Sequence, residues 1–261
     1  MSKIELYRGD ALLIMDELIA KGVVVDAIIT DPPYGTTACK WDSVIPFDEM
    51  WERLNKLIKP NGAIVLFGSE PFSSALKMSN IKNYKYDWVW EKSKATGHLN
   101  SKKRPLVKHE LIHIFYKKQP TYNPQGLIEK DTPTISKGNR GNKGDGSSGD
   151  VYGKAVKDAM QTHTNYPLSI QKFQVDMKAE YHPTQKPVAL MEYLIKTYTN
   201  EGEFVLDFTM GSFTTAIACL NTKRDFIGIE LDEDYFRIGT KRVEEHLPTL
   251  DYKPKIVYNL K

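Results

Sequence analysis

The residues best suited to chemistry are Asp31, Pro32, Pro33 and Tyr34, which directly follow a nearly continuous β-branched run from Val23 to Thr30. An exocyclic amine on an aromatic ring is a poor nucleophile, because its lone pair is delocalised into the ring. Acceptors that draw its hydrogens out of conjugation free that lone pair. The Asp31 carboxylate can take one hydrogen and the Pro32 carbonyl the other. Proline has no N–H and a fixed φ, so the loop is rigid and presents acceptors. Tyr34 adds an aromatic face on which a flipped base can stack. The plain alternative is a proline-rich turn, but Asp, two prolines and an aromatic together at a strand end favour chemistry.

A second constellation runs from Asp207 through Phe208, Thr209, Gly211 and Ser212 to Glu230. Strand, loop, helix, strand and acid outline a nucleotide-binding βαβ unit. In open parallel sheets, ligands bind beyond the carboxyl ends of the strands, where N–H groups at a helix start are free. Gly211 lets the chain turn and approach a ligand, and Glu230 can accept both hydroxyls of a ribose. An ordinary βαβ unit with a capping Ser and a surface Glu is the competing reading. Dinucleotide binding fits less well, because only Gly211 of a three-glycine fingerprint is present. Gly9-Asp10 repeats the strand-then-acid pattern, with a helix N-cap as its simplest explanation.

The elements needed to position these loops are legible as alternating strands and helices. Ile4–Tyr7, Val23–Thr30, Ala63–Phe67, Tyr86–Trp90, Leu111–Tyr116, Phe204–Leu206 and Phe226–Ile229 read as strands. Phe47, Met50, Trp51 and Leu54 have helical spacing, as do Met191, Leu194, Ile195 and Tyr198. From Lys117 to Glu180 this periodicity fades, and residues 137–157 have the Gly, Ser, Asn and Lys content of a flexible loop. The expected organisation is one α/β domain of residues 1–116 and 181–261, interrupted by an inserted region, 117–180.

The chain of 261 residues is 41% hydrophobic and 11% aromatic, enough for a substantial core. Its net charge of +3 is small, yet eight basic residues fall between Lys92 and Lys118, opposed by Glu110 alone. Lys92, Asn100, Lys102, Lys103 and Arg104 are candidates for gripping nucleic-acid phosphates, against the alternative of a solvated charged loop. The two cysteines, Cys39 and Cys219, have no metal-ligand spacing. No metal site or membrane segment is expected, and a reducing cytoplasm is the expected location.

Asp31-Pro32-Pro33-Tyr34, together with His182-Pro183-Thr184-Gln185-Lys186-Pro187 and the Asp207–Ser212 loop, resembles the amino-methyltransferases of DNA. The order is that of the beta group: catalytic loop, target-recognition region, cofactor motif. The resemblance implies a Rossmann-like α/β fold, a mostly parallel seven-stranded sheet with helices on both faces, in circularly permuted order. It implies S-adenosylmethionine as cofactor and DNA, double-stranded, as partner, and it allows a homodimer. Asp31, Pro32, Pro33 and Tyr34 would be catalytic, with Asp31 also bordering the cofactor. Asp207, Phe208, Thr209, Gly211 and Ser212 would underlie the methionine part, Glu230 would hold the ribose, and Asp10 would face the adenine. His182 would line the same cavity, with Lys186 a partner for the methionine carboxylate. Residues 117–180 take the target-recognition position. Adenine N6 is the expected target, since the cytosine N4 enzymes commonly carry Ser where Asp31 stands. A solitary enzyme, a phage enzyme and the modification half of a restriction pair all fit. Phe213 departs from the pattern, standing where the family commonly has a second Gly. Its ring either turns into the core or crowds the ligand, and a catalytically impaired DNA-binding relative is the corresponding alternative.

Overall fold

A computed structural model describes residues 2–37, 39, 42–136, 158–175 and 185–260. They form two compact units, one of Met1–Asn123 with Ser169–Lys261 and a smaller one of Pro124–Leu168. Residues 117–123 and 169–175, expected in the inserted region, therefore belong to the larger unit. The 137–157 loop lies outside the described residues, as does His182.

The larger unit is built on a sheet whose strands, in spatial order, are β11 (Lys255–Leu260), β1 (Lys3–Arg8), β10 (Asp225–Glu230), β9 (Phe204–Asp207), β2 (Val25–Thr30), β3 (Ile58–Gly68), β5 (Val107–Phe115), β4 (Tyr84–Thr96) and β8 (Ile170–Phe173). Pairing is parallel from β11 through β3, while β5 runs antiparallel to β3 and β4. The seven expected strands are thus the block from β1 to β4. Two edge strands, β11 and β8, extend it to nine; neither buries a residue fully, and β8 is only 4 residues of alternating exposure.

Both faces are covered, as a parallel sheet requires. Helices α1 (Ala11–Ala20), α2 (Phe47–Leu57) and α3 (Phe72–Ser79) bury Met15, Leu18, Trp51, Leu54 and Leu76 against Ile28, Leu66 and Ile229. Helices α4 (Val188–Tyr198), α5 (Thr214–Asn221) and α6 (Glu233–His246) bury Leu194, Tyr198, Ile217 and Phe236 against Leu6, Ile29 and Phe67 on the other face. Each such large apolar side chain contributes about 1.5–3 kcal/mol by leaving water. α2 shows how local sequence sets an element: Pro46 precedes it, Asp48 and Glu49 complement its positive end, and Lys56 its negative end. Among the described residues no helix is long and apolar enough to cross a membrane.

Strand order reverses between β9 and β2. From β9 the chain passes through α5 to β10 on one side, and from β2 through α2 to β3 on the other. Loops leaving these two strands diverge and open a crevice at their carboxyl ends. Both constellations seen in the sequence sit there.

β5 carries polar groups to both faces. Its period of two puts Glu110 with Ile112 and Ile114, and His113 on the opposite side. His113 is fully buried between Asp87 Oδ1 (2.6 Å) and Ser73 Oγ (2.8 Å). This has the order of a catalytic relay, but Ser73 is itself fully buried, and a Cβ on Gly68 would lie only 2.6 Å from its hydroxyl oxygen. No substrate reaches it; the relay satisfies buried polar groups and fixes α3 to the sheet.

The smaller unit contains an antiparallel ribbon, β6 (Ile128–Ser136) paired with β7 (Ala159–Thr164).

Candidate active site

Asp31 follows β2 at the switch point. The Thr30 side chain is fully buried and bonds to Asp207 Oδ1 and Thr209 Oγ1, both at 2.6 Å. Thr209 Oγ1 in turn donates to the Asp31 carbonyl oxygen at 3.1 Å. Two hydroxyls therefore stitch the Asp-Pro-Pro-Tyr loop to the loop after β9. The register of β2 on β9, with Ile28 opposite Leu206, makes this possible by aligning the two strand ends.

The Asp31 carboxylate is held from two sides. Lys186 Nζ lies 2.6 Å from Oδ2, and the Tyr34 hydroxyl bonds to Oδ1. Glu110 completes the cluster. Its Oε1 is 2.8 Å from Lys186 Nζ and 2.9 Å from the Tyr34 hydroxyl, and its Oε2 is 2.6 Å from Lys92 Nζ. The Tyr34 ring stacks on Phe72 with centroids 5.0 Å apart, and Lys186 Nζ lies over the Phe67 ring at 5.2 Å.

Burial sets the titration of these groups, and the ammonium groups oppose it. Desolvation raises the Asp31 carboxyl, partly offset by Lys186. Burial would raise Glu110 too, but Lys186 and Lys92 outweigh it and hold that carboxyl at about 2. Burial works against the Lys186 charge, yet Asp31 and Glu110 prevail and raise it. Two acidic side chains thus face two lysines.

On the other side of the switch point, Asp207 accepts from Thr30, from the Thr215 hydroxyl and from the Thr209 N–H, and burial lifts it to about 6. Glu230, at the end of β10, accepts from the N–H groups of Gly211 and Asp232, each at 2.8 Å; burial raises it to about 7. A carboxylate has about four acceptor sites, so Glu230 retains two for a vicinal diol. Gly211 has φ +52°, which a Cβ would disfavour. Asp10 caps α1 by accepting from the Leu13 N–H at 3.0 Å.

Phe208 is buried in the core and Ser212 is buried beneath the loop, its carbonyl accepting from Arg242 Nη1 at 2.7 Å. Phe213 resolves its departure from the family pattern. It adopts φ +62°, as the missing glycine would, and its fully buried ring packs edge-on against Phe236 at 5.5 Å. A Cβ on Gly239 would lie 2.2 Å from that ring, so α6 makes room for it with a glycine.

Of the sequence candidates, Asp31, Tyr34 and Lys186 meet in one cluster, and Asp207 and Thr209 adjoin it through Thr30. Lys92 joins from β4 by pairing inward with Glu110, so it is not a free cation on the surface. Asn100, Lys102, Lys103 and Arg104 are exposed on the connection between β4 and β5. Glu110 was missed as a site residue. Its signal was an acid on the apolar face of a strand, in phase with Ile112 and Ile114.

A DNA methylase family model matches residues 25–241. Type II methyltransferase M2.DpnII of Streptococcus pneumoniae is 26% identical over 269 residues, covering 93% of this chain and 90% of its own length. DNA adenine methyltransferase YhdJ of Escherichia coli K12 is 27% identical over 266 residues, covering 92% and 82%. The crystal structure of an M1.HpyAVI–SAM complex is similar with a TM-score of 0.63 at 30% identity, covering 92% of this chain and 99% of that one. The matched stretch runs from β2 into α6 and takes in both the Asp31 loop and the Asp207–Glu230 unit: the chain belongs to the DNA methylase family.

Proposed function

We propose that this chain transfers the methyl group of S-adenosylmethionine to the N6 amine of an adenine flipped out of double-stranded DNA. The observation that carries this reading is the stitching of the Asp31 loop to the Asp207 loop through Thr30 and Thr209. It fixes an acceptor-bearing loop beside a loop suited to a nucleoside ligand.

When bound, S-adenosylmethionine supplies an electrophilic methyl carbon on a positively charged sulfur. Glu230 would take the ribose hydroxyls on its two remaining acceptor sites, Asp10 would face the adenine, and Asp207 through Ser212 would border the methionine part. The uncompensated carboxylates of Asp207 and Glu230 suit a cationic, hydroxyl-bearing group. Asp31 and the Pro32 carbonyl accept the hydrogens of the target amine and turn its lone pair toward the methyl carbon. Asp31 would also be placed to receive the surplus proton of the methylated amine. Tyr34, whose ring rests on Phe72, would border the target base. Positioning and a preorganised polar surround provide most of the acceleration.

On the DNA side, Asn100, Lys102, Lys103 and Arg104 would hold phosphates, and the inserted region, of which Pro124–Leu168 is the compact part, would read the target. The N-terminal β1 pairs in parallel with β10, which is compatible with a circularly permuted order. We place the enzyme in the cytoplasm, with a homodimer compatible with the reading. Expression in a methylation-free host followed by sequencing of its DNA tests the assignment. N6-methyladenine at one recurring sequence is expected; N4-methylcytosine without N6-methyladenine would overturn it.

A further inference from the structure

Lys92 on β4, Glu110 on β5, Lys186 ahead of α4 and Asp31 after β2 form an alternating chain of charges, with successive contacts of 2.6, 2.8 and 2.6 Å. Glu110 and Lys186 are only 6% and 9% exposed. Burying charges is costly unless each is paired and hydrogen-bonded, and a well-packed apolar pair would serve stability as well or better. The cluster therefore calls for a reason beyond stability. We propose that Lys186 and Glu110 are positioning residues for Asp31: Lys186 keeps the Asp31 carboxylate ionised and oriented as an acceptor, and Glu110, backed by Lys92, holds Lys186 and Tyr34 in place. The proposal rests on the reading of Asp31 as the acceptor for the target amine.

A protonated Asp31 would offer a donor where an acceptor is needed, and burial drives it that way. Lys186 opposes that drive through Oδ2, and Tyr34 fixes Oδ1. Each oxygen keeps a lone pair for the amine. The charged or titratable groups that face Asp31 among the described residues are Tyr34 on its own loop, Lys186, Glu110 with Lys92 behind it, and Asp207 across the switch point. Of these only Lys186 brings positive charge directly to the carboxylate. Its engagement with two acids assigns it to the catalytic loop, in place of the methionine carboxylate expected from the sequence.

The test is single-turnover methyl transfer against pH, with cofactor affinity measured by calorimetry on the same proteins. Lys186→Met should slow transfer by about 10²-fold near neutral pH and move the acid limb of the rate upward by about one unit or more, with cofactor affinity unchanged. Lys186→Arg should restore the wild-type limb. Glu110→Gln should slow transfer without raising the limb, because the charge it removes itself opposes ionisation of Asp31. The two variants thus part in direction, which a shared loss of folding would not produce. If Lys186→Met does not fold, the Lys186→Met/Glu110→Gln double variant, which removes one charge of each sign, should still move the limb upward, by less than the loss of Lys186 alone, because the Lys186 charge acts on Asp31 more strongly than the Glu110 charge. Weakened cofactor binding with an unmoved limb in the Lys186 variants would overturn the proposal alone. Full activity of Asp31→Ala would overturn the acceptor reading and this proposal with it.

Discussion

The four carboxylates at the switch point are handled in two ways. Lys186 bridges Asp31 and Glu110, Lys92 backs Glu110, and Glu110 falls to about 2. Among the described residues, Asp207 and Glu230 receive only hydroxyl and N–H dipoles, and burial lifts them to about 6 and about 7. One side of the crevice carries its own counter-charges; on the other, a ligand would bring positive charge and hydroxyl donors. Buried carboxylates without a counter-charge are costly, so they mark a place where ligand and fold finish the site together.

The comparison makes the two sides separable by mutation. The largest effect is expected at Asp31: Asp31→Ala should cost at least about 10³-fold in single-turnover transfer, with cofactor affinity by calorimetry nearly intact. A parallel fall in affinity would merge the two sides. Phe213→Gly comes next. It relieves a left-handed backbone but empties a ring-sized space between Phe236 and Gly239. A net destabilisation of about 2–4 kcal/mol in denaturant melts is expected, with cofactor affinity unchanged because the ring faces the core. Restored stability and tighter cofactor binding would instead place the ring on the ligand side.

How far these sides were readable in sequence differs for physical reasons. The Asp31 loop announced itself because a β-branched run, two prolines and an acid are local signals. α2 did so because Phe47, Met50, Trp51 and Leu54 repeat at helical spacing. The Asp207 loop was readable as strand, glycine and helix start. The pairing of Glu110 with Lys186 was not, since it depends on β5 lying antiparallel between β3 and β4, a long-range choice no local pattern encodes. Lys92 looked like a phosphate ligand because charge is visible in sequence and direction is not. Phe213 needed its complement: a glycine inside a helix costs about 1 kcal/mol relative to alanine, so Gly239 within α6 was the clue that something large lies against it. Edge strand β8, half exposed and only 4 residues long, lacked the apolar run that betrays central strands.

Glu230→Ala probes the incomplete side alone. Cofactor affinity should weaken by about 1–3 kcal/mol, the worth of a charge-assisted hydrogen bond, while the rate at saturating cofactor stays near wild type. A fall in that rate with unchanged affinity would move Glu230 to the catalytic side.

The mildest test is the pH dependence of folding stability, where Glu110 should pull against Glu230 and Asp207. Glu230 has an ordinary carboxyl value of 4.5 and a folded value of about 7, so between these the folded chain holds a proton that the unfolded chain has released. Stability therefore falls as pH rises through this window, by about 1 kcal/mol per pH unit at most for this group, and levels off above it. Asp207 adds the same sign between 3.8 and about 6. Glu110 does the reverse: its folded value of about 2 is depressed, so its contribution is full above 4.5 and is lost as pH drops toward 2. Denaturant melts of the cofactor-free protein should show the decline between pH 4.5 and about 7, and Glu230→Gln should flatten it because the glutamine cannot ionise. Saturating S-adenosylmethionine should flatten it too, since hydroxyl donors favour the ionised Glu230. A decline equal in wild type and Glu230→Gln, with or without cofactor, would remove Glu230 as the uncompensated charge and with it the contrast between the two sides.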